Sequence, residues 1–161
     1  MAEQVADKNR HRVIGKCIVY RRDPDDIRYL VGKRRPDRHM PDLWTTLGGG
    51  MDREDYESEP SINGSWNSPL DAALTREIDE EAGIKVGPFQ YLGNFTFIRP
   101  KDDIPVFGIG FAAEYKSGDV RLTDDEFVEH GWITAEEAPN YEFTGTVGQE
   151  IQELDKILKA R

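Results

Sequence analysis

Apolar positions along the chain change period several times, and each change marks an element. Val13 to Tyr20 is rich in branched apolar residues and predicts a strand; Asp23-Pro24-Asp25-Asp26 then turns the chain into Ile27 to Lys33, so the pair reads as a hairpin. Leu43-Trp44-Thr45-Thr46 is a short β-like run that leads into Leu47-Gly48-Gly49-Gly50. Phe89 to Ile98 and Val106 to Tyr115 predict two further strands joined by a turn at Pro100 to Pro105, with Phe95 and Phe97 alternating as core residues, and Val128 to Ile133 predicts another short strand. Two segments switch to a helical period. In the first, Leu70, Ala73, Leu74, Ile78 and Ala82 share one face, with Ser68 as N-cap, Pro69 at the first helical position, Asp71 three residues after the cap and Gly83 just past the end. In the second, Gly148 to Ala160, the residues Ile151, Leu154, Ile157 and Leu158 are spaced for a buried face, and Thr134-Ala135-Glu136-Glu137 upstream resembles a helix start. Strands interspersed with two helices predict an α/β (α+β) fold in which helices pack on a mixed sheet.

The first helix carries more than a core face. Arg76-Glu77-Ile78-Asp79-Glu80-Glu81 packs four acids and an arginine into one window; Glu77 and Glu81 fall inside the apolar arc, Glu80 lies on its edge, and Asp79 points away. Carboxylates on an apolar face are costly to desolvate unless something positive compensates them, and a hard divalent ion does so with oxygen ligands. The plainer reading is a solvated acidic surface with Arg76 and Glu80 as an i,i+4 pair. The order of glycine run, capped helix and carboxylates favours the ion, because bare backbone at Gly48 and Gly49 can approach a ligand closely.

In that order of residues the chain resembles the Nudix hydrolase family, whose signature reads Gly, five residues, Glu, seven residues, Arg-Glu, an aliphatic, any residue, Glu-Glu, any residue, Gly, an aliphatic. Arg76 to Ile84 matches the second half without a gap, and Gly49 stands as the signature glycine. The first half departs from the pattern: Gly49 and Arg76 are separated by 13 residues more than the signature allows, so its first glutamate falls on Asp55 counted forward or on Ser68 counted back. The resemblance implies an α/β/α sandwich with a mixed β-sheet between helices, a single domain over 12–161 after an N-terminal tail at 1–11, and an inserted loop at about 52–67. It implies that Glu77, Glu80 and Glu81 bind Mg²⁺ or Mn²⁺ with the Gly48 carbonyl, and that Arg76 orients the glutamates. It also implies hydrolysis of a pyrophosphate linkage in a small nucleoside diphosphate derivative: a nucleoside triphosphate, ADP-ribose or a nucleotide sugar. Glu77 is the first candidate for general base, with Glu126 and Glu129 as alternatives. Pro100, 16 positions after Ile84, resembles the ADP-ribose-cleaving branch. The acid-rich, then Ser-, Asn- and Gly-rich insertion reads either as a tolerated spacer or as a lid in which Tyr56 or Trp66 touches substrate and one of its acids replaces the missing glutamate.

Composition narrows the alternatives. A chain of 161 residues, 37% hydrophobic, supports one domain with a real core. Its formal charge of −10 argues against DNA as a partner, because phosphate contacts need a basic footprint. Cys17 is the lone cysteine, so no internal disulfide forms; with no signal-like or membrane-spanning run, the expectation is a cytoplasmic protein with no membrane partner, and a homodimer stays open. Lys33-Arg34-Arg35 ends a predicted strand just before Trp44, so Arg34 or Arg35 is a candidate for substrate phosphates and Trp44 for stacking on a base, against the plainer roles of surface charge and core. Three rival readings share the fold. These are a noncatalytic nucleotide-binding module, an isopentenyl diphosphate isomerase, which relies on a catalytic cysteine where Cys17 sits far from the signature helix, and an RNA 5′-pyrophosphohydrolase.

Overall fold

The computed structural model of the chain describes residues 10–123 and 125–161. Most of the expected N-terminal tail, residues 1–9, and Asp124 therefore lie outside the described residues. Strand β1 (Arg12–Arg22) organises the rest. One edge runs parallel to β7 (Ile104–Ser117), from Arg12↔Val106 to Tyr20↔Glu114. The other edge is shared: Ile14 to Cys17 pairs antiparallel with β4 (Leu47–Gly50), and Tyr20 to Arg22 pairs with β2 (Ile27–Arg34) in the expected hairpin. β2 continues outward to β3 (Trp44–Thr45) and β8 (Phe127–Ile133), while β7 carries the short β5 (Lys85–Val86) and the long β6 (Gln90–Arg99). The sheet is thus mixed, with one central parallel pair.

Alternation along β1 sends Cys17 and Val19 to one face and Ile18 and Tyr20 to the other. On the first face Leu74, Ile78 and Ala82 of α2 (Pro69–Ala82) complete a core; on the second, Val147, Ile151, Leu154 and Leu158 of α3 (Val147–Lys159) do the same. Each large aliphatic side chain buried in this way contributes about 1.5–3 kcal/mol of transfer free energy. A helix on either face of a mixed sheet is the expected α/β/α arrangement. No helix among the described residues is long and apolar enough to cross a membrane.

Several local expectations change. The glycine run itself is a strand, β4, hydrogen-bonded along β1. Ile157 is exposed, and Asp155 instead occupies the buried face of α3, where it accepts from Tyr29 Oη at 2.9 Å and pairs with Lys159 at 2.9 Å. A satisfied carboxylate there costs little and ties α3 to β2, which apolar spacing does not reveal. Ser68 occupies the N-cap position with left-handed backbone (φ 51°) and no side-chain cap bond; a residue in that conformation cannot aim its hydroxyl at the first-turn amides as an extended N-cap does. Thr134 and Glu137 form a reciprocal capping box, but it opens a 3₁₀ turn (Ala138–Asn140) rather than an α-helix. Inside the insertion, α1 (Glu54–Glu57) is a helical turn that the acid-rich composition concealed.

Candidate metal and substrate site

The glycine strand β4 and helix α2 supply the two halves of the site, and each of three successive glycines has its own task. Gly48 has φ +148°, and a Cβ there would stand 2.2 Å from the Gly15 carbonyl oxygen, so only glycine lets β4 lie this close to β1. Its N–H donates to Glu81 Oε2 at 2.9 Å. A Cβ on Gly49 would meet the Glu77 carboxyl carbon at 2.3 Å, so the Glu77 carboxylate rests directly on bare backbone. The Gly50 carbonyl accepts from Arg76 Nη2 at 3.2 Å. We expect Gly49→Ala to displace the Glu77 carboxylate and lower turnover about tenfold or more while leaving the cooperative unfolding transition in place, a split that kinetics beside thermal melting would check.

Arg76 is the hub. Its guanidinium grips Asp55 with two bonds (Nε–Oδ1 2.5 Å, Nη2–Oδ2 3.1 Å) and also reaches Glu77 Oε1 at 2.9 Å and Glu80 Oε2 at 3.1 Å. Asp55 lies in α1 with its side chain only 2% exposed, and the arginine holds its carboxyl well below the usual carboxylate range. Of the two residues that compete for the signature's first acidic position, the one counted forward from the glycines reaches the arginine. The extra chain therefore lies after α1. In that stretch Tyr56 and Trp66 pack on each other, with ring centroids 5.3 Å apart, and Trp66 Nε1 donates to the Glu59 carbonyl. The aromatic pair closes the insertion on itself and does not line the cavity beside the glycines.

The two inward carboxylates are poorly solvated. Burial pushes the Glu81 carboxyl up to about 8, reinforced by the charges of Glu77 and Glu126 and opposed by the Gly48 N–H and Arg34. Burial also raises Glu77, against the pull of Arg76. Glu80 is exposed. Among the described residues no three acidic, histidine or cysteine side chains close round a single point, because Arg76 draws Glu77 and Glu80 to itself. The donor set nonetheless suits a hard divalent cation: anionic oxygens on consecutive turns of one helix, two of them desolvated beside a bare strand. At Gly48 the amide is tied to the Glu81 carboxylate.

On the α3 side of the glycines lies a cavity of about 360 Å³. Its wall corrects the core assignment of Phe95 and Phe97, which are half-buried and nearly parallel, with centroids 6.4 Å apart and planes 5° apart. Gly108, paired with Phe95 across the sheet, leaves the space the ring takes; a Cβ there would meet Phe95 Cζ at 2.2 Å. Lys16 stands over Phe95 at 4.5 Å and pairs with Glu150 at 2.5 Å. Of the candidate cations, Arg34 lines the cavity, its Nε donating to the His39 carbonyl at 2.6 Å, whereas Arg35 pairs with Asp37 at 2.9 Å outside it. Of the two roles open to Trp44 the structure gives the core one: the ring packs edge-on to Tyr141 at 5.0 Å against the α3-side core. Its position next to the glycines in sequence gave no clue that β3 turns the ring the other way. Glu126 is brought beside Glu81 and lies within 3.9 Å of Arg34, while Glu129 stands exposed on β8, across from Lys33.

The sequence profile of the NUDIX domain matches residues 10–151. The chain is similar to the NAD-capped RNA hydrolase NudC of Deinococcus radiodurans, 32% identical over 141 residues, 88% of this chain but 43% of that protein. It thus spans less than half the length of that curated relative. In fold it is similar to a MutT NUDIX hydrolase from Burkholderia pseudomallei (TM-score 0.69, 22% identity, covering 91% of this chain and 99% of that one). It is similar also to the NUDIX domain of Shewanella oneidensis NrtR, solved with ADP ribose (TM-score 0.71, 11% identity, covering 93% and 90%).

Proposed function

We propose, because this chain belongs to the NUDIX family, that it is a divalent-metal-dependent pyrophosphohydrolase acting on a nucleoside diphosphate-linked compound. The observation that carries the reading is the buried Glu81 carboxylate, bonded to the Gly48 amide and flanked by Glu77 on the same glycine strand. Arg76 compensates one side of Glu77, and a divalent cation would offset the remaining desolvation of the pair.

A diphosphate bridge resists hydrolysis because its anionic oxygens repel nucleophiles. Held by Glu77, Glu80 and Glu81, Mg²⁺ or Mn²⁺ would neutralise those oxygens and acidify an attacking water. The protein's own contribution is placement. Arg76, fixed by Asp55, sets Glu77 and Glu80 along one side of α2; the bare backbone of Gly48 and Gly49 lets a diphosphate approach that side; and Arg34 and Lys16 put positive charge along the adjoining cavity. Burial raises the Glu77 carboxyl against the pull of Arg76, the direction a general base requires, which keeps it the first candidate. Glu126 is the second candidate, held back by its pairing with Arg34 and Arg38.

A panel of nucleoside triphosphates, ADP-ribose, NAD and nucleotide sugars, assayed for Mg²⁺-dependent cleavage, tests the reading. We expect cleavage of at least one member, loss to background in EDTA, and recovery on adding Mg²⁺ or Mn²⁺. Silence across the panel with metal present would move the chain to the noncatalytic, nucleotide-binding side. The relative named for NAD-capped RNA supports a second reading, since such a cap carries the same linkage. The formal charge of −10 works against a grip on the RNA chain, so we expect cleavage of free NAD at least as fast as of NAD-capped RNA.

A further inference from the structure

We infer that the outer edge of β6 is a self-association surface, on which a second copy of this chain pairs antiparallel, Thr96 against Thr96, and joins the two sheets into one. The inference concerns assembly, so it goes beyond the hydrolase reading above and is tested without any substrate. Two independent features of the edge carry it.

The first is that β6 is open and unprotected. Among the described residues it pairs with β7 alone, so the side turned away from β7 meets no other strand. An edge strand offers a row of backbone donors and acceptors to any chain lying beside it, and proteins guard such edges with charge, proline, brevity or a bulge. The strand β8, which pairs with β2 alone, is guarded in this way: it is seven residues long and carries Glu129 and His130 at its middle. By contrast β6 is ten residues long, and from Gln90 to Ile98 it holds neither a charged residue nor a proline. Its register against β7 shifts between Tyr91 and Gly93, which leaves Asn94 to Ile98 as regular strand.

The second is that this edge matches itself. Each copy carries a formal charge of −10, so two copies repel wherever acidic surface faces acidic surface. The uncharged run of β6 lets them approach without that cost, and Arg99 at its end is already held by Asp102 at 2.6 Å. Antiparallel pairing about Thr96 sets Phe95 of one copy opposite Phe97 of the other, and Asn94 opposite Ile98. Within one chain the two phenylalanine rings are already nearly parallel, with planes 5° apart, so four rings continue one row across the joint. On the other side of the sheet Ile98, 56% exposed, gains cover from the second copy. A foreign extended segment could borrow the same backbone groups, but two phenylalanines placed evenly about a central threonine are answered most closely by the same sequence reversed, which a twofold axis supplies.

Sedimentation of the full chain from about 1 to about 200 μM is expected to show a monomer–dimer equilibrium. Thr96→Glu and Thr96→Lys each set like charges face to face on the twofold axis and should weaken self-association about tenfold or more; mixed together they should restore it, because each then meets its opposite. The Thr96 hydroxyl also donates to the Val106 carbonyl within the chain, so Thr96→Val serves as the uncharged control: it loses that bond and should still dimerise. Melting at the lowest concentration confirms that each variant folds. Thr96→Cys should cross-link under mild oxidation, since residues directly opposite in an antiparallel pair lie within disulfide reach. Ile98→Cys should not, because it faces Asn94 and its own counterpart stands further along the strand. The native Cys17 is buried and gives no background.

A monomer throughout the concentration range would overturn the inference and leave the edge to an extended segment of another protein. A dimer that Thr96→Glu leaves intact, or one that cross-links through Ile98→Cys and not through Thr96→Cys, would overturn it as well, since either result places the contact elsewhere. None of these readouts involves hydrolysis. An inactive protein that dimerises through Thr96 upholds the inference, and an active monomer removes it without touching the catalytic reading.

Discussion

Glu81→Gln is expected to lower turnover by roughly 10²–10³-fold, the range for losing one preorganised electrostatic group, and at the same time to make the metal-free protein more stable at pH 8. The two effects share a cause. In the folded chain burial lifts the Glu81 carboxyl from its ordinary 4.5 to about 8, so the folded state holds the proton more tightly than the unfolded state does. A group raised in this way gives its full stability below the unfolded value and loses it as pH climbs from about 4.5 towards 8. Glutamine fills the same volume, still offers an oxygen to the Gly48 amide, and carries no charge to desolvate. The gain should therefore be near zero at pH 4.5, grow through the window, and reach roughly 1–3 kcal/mol at pH 8, a rise of roughly 3–8 °C in Tm. Melting in EDTA at both pH values, beside kcat with Mg²⁺, checks it. A stability change independent of pH, or turnover within twofold of wild type, would contradict the role given to this carboxylate.

Asp55→Ala should be the second large effect. Asp55 takes two of the bonds of the Arg76 guanidinium, and the same guanidinium fixes Glu77 and Glu80. Without the aspartate the arginine can swing onto either glutamate and neutralise it, so we expect a loss of roughly 10²-fold in kcat. Removing one partner of a well-buried pair costs about 3–5 kcal/mol. The side chain of Arg76 is a third exposed, which lets water take part of the load and brings our expectation to roughly 2 kcal/mol. Assays well below the melting transition separate the two losses. Asp55→Glu, which returns a carboxylate one methylene longer, should recover part of the rate. If Asp55→Ala is as active as wild type, the arginine is not held in place by this contact.

What the sequence disclosed, and what it hid, follows from the range of the interactions. The β1–β2 hairpin, α2 with Gly83 at its end, and α3 are legible because turn residues and apolar periods act within a few positions of one another. The carboxylate face of α2 is legible for the same reason: once the helix register is known, Glu77 and Glu81 must share its inner side. The acid that serves Arg76 was not decidable from spacing. Asp55 and Ser68 each satisfy one count, and only the path of the chain through α1 brings Asp55 to the guanidinium. Phe95 and Phe97 left their expected core role, and Trp44 took the plainer of its two, because strand alternation tells which residues share a face, not whether a helix covers that face. α3 packs over Ile18 and Val31, while its N-terminal end leaves the sheet open above Phe95 and Phe97.

The insertion is anchored to the domain at its two ends. Asp55 anchors its start to Arg76, Pro69 begins α2 at its finish, and the intervening chain bonds chiefly to itself through the Ile62–Ser65 bridge and the Tyr56–Trp66 contact. Its tip, Asn63-Gly64, is exposed, with open space around Gly64. Such a bridge between fixed abutments can be lengthened without disturbing what stands on either bank. A fluorophore or an affinity handle grafted at Asn63-Gly64 would ride on the protein as a reporter and leave the chemistry at Gly48 and Gly49 as it was.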